Sequence, residues 1–234
     1  MQRFTTRKSP TAIDNYNFTT MARRIWCLTL AVALVSCLHA QEAQKKTLMA
    51  TMYQQNKTAT VTLVDGRKIK APDSNVFLKN ASLLYFQGGQ AKEARMDIIS
   101  SVEFDDRQFV NIENRLAYFV DSVKGNSLYC VDLIDMDAFE RALKNNVNYT
   151  FIDITTERME SFTNDLNTED DFIFPLSSTY YFILDGKIVR AHDRDLYRAL
   201  NKERYRMMKT AISDPTFSWT DPKSLMRLLE LISK

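Results

Sequence analysis

Strand-like and helix-like stretches succeed one another along this chain, and short polar clusters containing glycine separate many of them. Thr58–Val64 alternates, with Ala59, Val61 and Leu63 on one face, the period of a half-buried strand. All 5 glycines stand between such runs. Asp65-Gly66 separates Ala59–Val64 from Arg67–Ala71, and Gly88-Gly89 separates Ser82–Gln87 from Gln90–Met96. Lys124-Gly125-Asn126 separates Leu116–Val123 from Ser127–Ile134, and Asp185-Gly186 separates Thr179–Leu184 from Lys187–Ala191. Tight hairpin turns need positive φ, which Asp-Gly and Gly-Gly supply at little steric cost. Four hairpins are therefore predicted. Ser101–Phe104 and Tyr149–Ile154 add two further strand candidates rich in β-branched and aromatic residues.

Helical spacing appears in three places. Asp135 is positioned to cap Met136–Asn145, whose Met136, Phe139 and Leu143 share a stripe. Asp195–Ser213 is predicted as one helix, with Leu196, Leu200, Met207 and Ile212 among its apolar positions and Asp214-Pro215 ending it. The last helix starts at Thr220 or Asp221, takes Pro222 into its first turn and buries Leu225, Leu228, Leu229 and Ile232. Between the β-rich and later elements, Thr155–Asp171 is polar and acidic and reads as a connection.

The longest apolar run lies near the start. Arg23-Arg24 precede Ile25–Val35, and small residues follow at Ser36, Cys37 and Ala40. Basic, apolar and then small is the secretory order. Even carried to Ala40, the run is shorter than the ~20 residues of a spanning helix. Translation from Met21 would give a signal of ordinary length. Cleavage after Ala40 would leave Gln41 as the new terminus, while Leu34-Val35-Ser36-Cys37 also reads as a lipobox that would diacylate Cys37 and attach the chain to a membrane. The organisation expected is a leader and signal at 1–40, a β-rich portion at 41–154, an acidic linker at 155–178, and a hairpin with helices at 179–234.

Removing the signal changes the charge picture. The first 40 residues carry 5 basic and 1 acidic residue, which leaves 26 basic against 28 acidic, a net charge of −2. A dedicated nucleic-acid binder carries a basic excess, so that class is disfavoured. Cysteine falls to Cys130 alone and histidine to His192 alone. A single thiol forms no internal disulfide, and one cysteine with one histidine is too few for a structural zinc site.

The glycines are too dispersed for a phosphate-binding loop, and no Gly-x-Ser-x-Gly elbow occurs. A Cys130–His192 dyad is formally available, but a mid-strand cysteine is more simply a small buried hydrophobe. His192, in Ala191-His192-Asp193-Arg194-Asp195, reads as a polar residue in a strand-to-helix loop, with Asp193 or Asp195 capping the helix. Asp165–Asp170 resembles the opening of a calcium loop, yet Asp170 replaces the turn glycine and Leu176 the bidentate acid. No cofactor or metal is expected. Lys187–Lys209 is the basic stretch, and Arg190, Arg194, Arg198, Lys202 and Arg206 are the candidate partner-binding face, suited to an acidic protein, a lipid headgroup or a glycan carboxylate.

Thr60-Val61-Thr62-Leu63-Val64-Asp65-Gly66-Arg67-Lys68-Ile69, Leu83–Phe86, Ile98–Phe104 and Tyr180–Lys187 resemble the hairpins of small exported proteins of Bacteroidota-type bacteria. The Ala40-Gln41 start and the helical end are similar to the same group. The resemblance implies a bacterial envelope or secreted protein, and it carries neither an activity nor site residues across. The expectation is thus an exported α+β protein: a mostly antiparallel barrel or sandwich followed by a hairpin and C-terminal helices. It would act as a non-catalytic interaction or structural module toward an envelope protein or surface glycan. The alternatives are a small-ligand carrier, with a ligand inside the curled sheet, and an envelope hydrolase of unknown class.

Overall fold

A computed structural model describes residues 45–47, 50–88, 90–145 and 174–233. The expected signal with Cys37, Ala40 and Gln41, the strand candidate Tyr149–Ile154, and the acidic stretch as far as residue 173 lie outside the described residues.

The strands are β1 (Lys46–Thr47), β2 (Lys57–Leu63), β3 (Lys68–Phe77), β4 (Ser82–Gln87), β5 (Gln90–Glu93), β6 (Ile99–Glu103), β7 (Gln108–Ile112), β8 (Arg115–Val123), β9 (Asn126–Ile134), β10 (Phe174–Leu184) and β11 (Lys187–Arg190). The helices are α1 (Met136–Asn145), α2 (Asp193–Ala199), α3 (Lys202–Ile212) and α4 (Pro222–Ile232). The described strands join into one antiparallel, 11-stranded sheet ordered β1-β10-β9-β8-β7-β6-β2-β3-β4-β5, with β11 also on β10. The fold is α+β, as expected. The sheet curls without closing. Its β3–β4 turn folds back so that Leu116 N–H donates to the Ala81 carbonyl at 2.7 Å and Ile134 N–H to the Leu78 carbonyl at 2.8 Å.

All four glycine hairpins form: β2–β3, β4–β5, β8–β9 and β10–β11. At the β10–β11 turn Asp185 and Gly186 both take positive φ, 51° and 79°, the two-residue geometry that matches strand twist. A fifth hairpin, β7–β8, turns on Glu113-Asn114 at φ 53° and 62° without glycine. Strand β3 runs past the expected Ala71, because the β2–β3 register shifts at Pro72-Asp73. A bulge tolerates a residue with no N–H to give to the ladder.

Two boundaries differ from the sequence reading. Strand β10 begins at Phe174, inside the expected linker 155–178. Phe174 packs on Phe139 of α1, with ring centroids 4.9 Å apart. The strand pairs along β9 from Leu176↔Ile134 to Ile183↔Ser127, so the portions before and after the acidic stretch share one sheet. The single helix expected over 195–213 is two helices. Leu200 and Asn201 are extended, and the Asn201 side chain caps α3 by accepting from Arg204 N–H at 2.9 Å. Asparagine competes for backbone donors and so favours caps over helix interiors.

The inner face of the curled sheet is filled by Val61, Val76, Leu83, Val102, Phe109 and Leu116, each 5% exposed or less. Phe104 joins this core, in edge contact with Phe109 at 5.7 Å. Over β9 and β10 lies the helical layer, where Leu128, Tyr180 and Phe182 meet Leu196, Met208, Leu225, Leu228, Leu229 and Ile232. The four apolar residues of α4 fall at the predicted spacing, and burying each is worth roughly 2 kcal/mol before entropy is charged against it. Helix α4 is capped by Asp221 as expected, its carboxylate accepting from Ser224 N–H at 2.9 Å. Asn126 ties the layers together: its Nδ2 donates to Ser233 Oγ at 2.9 Å and its Oδ1 accepts from Asp185 N–H at 2.8 Å.

Candidate functional site

Strand β11 hands the chain to α2 through Ala191-His192. Ala191 N–H donates to the Tyr180 carbonyl at 2.8 Å, which fixes the point where the chain leaves the sheet. His192 itself is the N-cap, its Nδ1 accepting from Arg194 N–H at 3.3 Å. Asp193 and Asp195, expected as caps, lie in the first turn instead.

This corner leaves a cleft of about 560 Å³ open to the surface. Lys187 and Arg190 of β11 and Arg198 of α2 line it, with Asp195, Tyr181 of β10 and Glu113 from the β7–β8 turn. Tyr181 is 5% exposed. Its phenol is raised first by burial and then by the Glu113 carboxylate, while Arg190 and Arg115 oppose that shift. Glu113, Arg190 and Arg115 thus all act electrostatically on this phenol.

All five basic residues singled out from the sequence are exposed. Arg190 and Arg198 enter the cleft, and Arg194 sits one turn from Arg198 on α2. Lys202 and Arg206 lie on α3, beyond the break at Leu200-Asn201, so the five do not form the one helical face their spacing implied. None of the five forms an ion pair among the described residues. Their neighbours do: Arg204 pairs with Asp185 at 2.6 Å and Lys209 with Asp193 at 3.3 Å. Exposed Ile188 and Tyr197 flank the same region.

A second open cleft, of about 420 Å³, also has Glu113 in its lining. Asn80, Ser82, Glu93, Asn114 and Arg115 contribute to it. Asn80 Nδ2 donates to Glu93 Oε1 at 2.5 Å and Asn80 Oδ1 accepts from Ser82 N–H at 3.2 Å. The Ser82 hydroxyl is buried and has no hydrogen-bond partner among the described residues.

The densest polar constellation was not anticipated. Sheet register places Tyr118 and Tyr180 on either side of Cys130, and Ser178 beside Asp132. Asp132 is 8% exposed. Its Oδ1 accepts from Ser178 Oγ at 2.5 Å and from Cys130 Sγ at 3.4 Å, and its Oδ2 from Tyr118 at 3.2 Å. Lys45 Nζ reaches Ser178 Oγ at 3.0 Å and Asp132 Oδ1 at 3.4 Å. One sequence signal for this did exist: in Leu128-Tyr129-Cys130-Val131-Asp132, alternation puts an acid on the same buried face as Leu128 and Cys130. A buried carboxylate demands partners.

Ser178 thus donates to Asp132 while accepting from Lys45, which is itself paired with the same carboxylate. Burial, followed by Asp132, pushes the Cys130 thiol up to about 12, away from the thiolate that reactivity requires. Cys130 bonds to Asp132 and His192 to Arg194 N–H; the two form no dyad hydrogen bond. Leu176, the twelfth position of the calcium-loop pattern, is a strand residue paired with Ile134. Among the described residues, no group of three or more His, Cys, Asp or Glu side chains is placed to hold a metal ion.

No protein family, curated protein or solved structure matches the chain.

Proposed function

We propose that this is an exported envelope protein acting as a non-catalytic interaction module, and that it holds an anionic partner in the cleft between β11 and α2. The observation that carries this reading is the convergence of Lys187, Arg190 and Arg198 on one cleft, where they outnumber Glu113 and Asp195, with Arg190, Arg194 and Arg198 forming no ion pair among the described residues. The chain from Gln41 on is close to neutral, so this surplus is local and marks a place for negative charge. The large side chains filling the inside of the sheet favour the module over a carrier with a ligand inside its barrel. Export rests on the Arg23–Ala40 pattern, with attachment through Cys37 or release at Gln41 as its two forms.

Two measurements test the proposal. A photo-crosslinking residue at Ile188 should capture an acidic envelope component in native cells, and Arg190→Glu with Arg198→Glu should abolish capture. Retained capture would remove the cleft from the account. The intact mass of protein from fractionated cells should show either a diacylated Cys37 or a terminus at Gln41. An intact Arg23–Ala40 segment in a soluble cytoplasmic fraction would refute export.

A further inference from the structure

Among the described residues, strand β11 pairs with β10 on one side and with no strand on the other. Ala191 N–H donates to the Tyr180 carbonyl, and that bond sets the alternation of the antiparallel ladder. Tyr181 stands opposite Arg190 and Ile183 opposite Ile188. The backbone groups of Lys187 and Val189 therefore face β10, and those of Ile188 and Arg190 face away from it. The Arg190 carbonyl accepts from His192 N–H at 2.8 Å. Ile188 N–H, Ile188 C=O and Arg190 N–H have no backbone partner among the described residues. We infer that this open edge takes up an acidic polypeptide segment as an added strand. The inference rests on the reading of the β11–α2 cleft as a site for negative charge, and it names the class of partner and the way it is held.

The edge and the cationic cleft occupy one place, because all of Lys187, Ile188, Val189 and Arg190 line the cleft. A strand laid along it would gain backbone hydrogen bonds from the outward groups of Ile188 and Arg190, the part of strand addition that is indifferent to sequence. Side chains supply the selectivity. Ile188, 51% exposed, and Arg190 lie two residues apart and so share a face, where each can meet a cross-strand neighbour. A carboxylate beside Arg190 or Arg198 would form a charge-assisted pair, and neither arginine has an ion pair among the described residues to give up.

The same charges argue against other strands. A second copy of β11 would set Lys187 and Arg190 against like charges, which destabilises pairing. Cations on an exposed edge are a common device against self-association, and here they leave the edge open to a strand of opposite sign. An acidic glycan could meet the arginines, but it has no peptide backbone to pair with Ile188.

The probe is an acetylated, amidated octapeptide of alternating glutamate and valine, followed by titration and by amide hydrogen exchange of the full chain. In the free protein the Ile188 and Arg190 amides should exchange fast and the Val189 amide slowly. The peptide should slow exchange at Ile188 and Arg190. Arg190→Gln with Arg198→Gln should weaken binding ~10-fold or more. Ile188→Pro removes an outward N–H and no ladder bond, so it should weaken binding ~10-fold with the melting temperature kept, whereas Ile188→Val should bind within ~3-fold of the parent. The exchange readout decides even if the proline variant fails to fold. Binding that needs the arginines but leaves Ile188 and Arg190 exchange unchanged would overturn strand addition and leave the anionic-partner reading in place. So would a galacturonate tetramer that binds more tightly than the peptide. Absence of peptide binding would also overturn strand addition, and the crosslinking at Ile188 would then judge the broader reading. Peptide binding indifferent to the arginine substitutions would overturn both.

Discussion

Replacing Lys45 with Met keeps the length and apolar stem of the side chain and removes its ammonium from Asp132. At 3.4 Å the attraction is about 1 kcal/mol if water screens it fully and about 5 kcal/mol at an effective dielectric constant of 20. The two ends differ in exposure: the Lys45 side chain is 46% exposed and that of Asp132 10%. Screening at the lysine end and the surviving bonds from Ser178 and Tyr118 to the carboxylate place the net loss at about 1–2 kcal/mol. Asp132→Asn should cost about 2–3 kcal/mol, since an amide nitrogen would face hydroxyl and thiol donors. Urea unfolding of both single variants and the double variant gives the coupling, expected at about 1 kcal/mol. Hydrogen exchange supplies a second readout. The Leu176 amide, which donates to the Lys45 carbonyl at 2.8 Å, should lose protection in Lys45→Met before amides of the β9–β10 ladder do. A coupling below about 0.3 kcal/mol, or an unchanged Leu176 amide, would refute the reasoning that this pair helps to hold the backbone at Lys45 against β10.

Three further outcomes follow from the same structure. The Cys130 thiol, raised from 9.0 to about 12 by burial and then by Asp132, keeps its proton in the folded state while the unfolded chain loses it. Its contribution is therefore full below about pH 9 and declines as pH rises toward 12, by up to ~1.4 kcal/mol per unit. Urea midpoints at pH 7.5, 9 and 10.5 should fall with pH, less steeply in Cys130→Ala, and the native thiol should resist alkylation at pH 8. Asp221→Ala should cost about 1 kcal/mol by leaving the first turn of α4 without its cap. The Asp221 carboxyl is lowered chiefly by the Ser224 hydroxyl, so this stabilisation is present above the ordinary carboxylate range and lost as pH falls through the lowered value. The variant should accordingly show a flatter acid-denaturation profile. Gly186→Ala should cost about 1–2 kcal/mol, because the residue sits at φ +79° with open space around it; an unchanged melting temperature would contradict the turn geometry.

The sequence by itself determined the parts whose physics is local. A two-residue turn needs positive φ at one or two positions, so Lys124-Gly125 and Asp185-Gly186 announced their hairpins. A helix start needs acceptors within three or four residues, so Asp135, and Asp221 with Pro222, marked theirs. Where local signals competed, the reading was less secure: continuous apolar spacing over 195–213 concealed the cap at Asn201, and Glu113-Asn114 turned without glycine. Tertiary structure alone decided what lies across strands. Lys45, Tyr118, Asp132 and Ser178 meet because β1, β8, β9 and β10 adopt one register over more than a hundred residues of chain, and no spacing encodes that register. The same holds for the surface. The basic run 187–209 was legible as charge, but only the corner between β11 and α2 separated Arg190 and Arg198 in the cleft from Lys202 and Arg206 outside it. Only the returning β7–β8 turn brought Glu113 to the rim of both clefts. Turns and caps are settled by bonds among near neighbours, whereas a site is assembled by pairings whose partners the chain reaches only after it has folded.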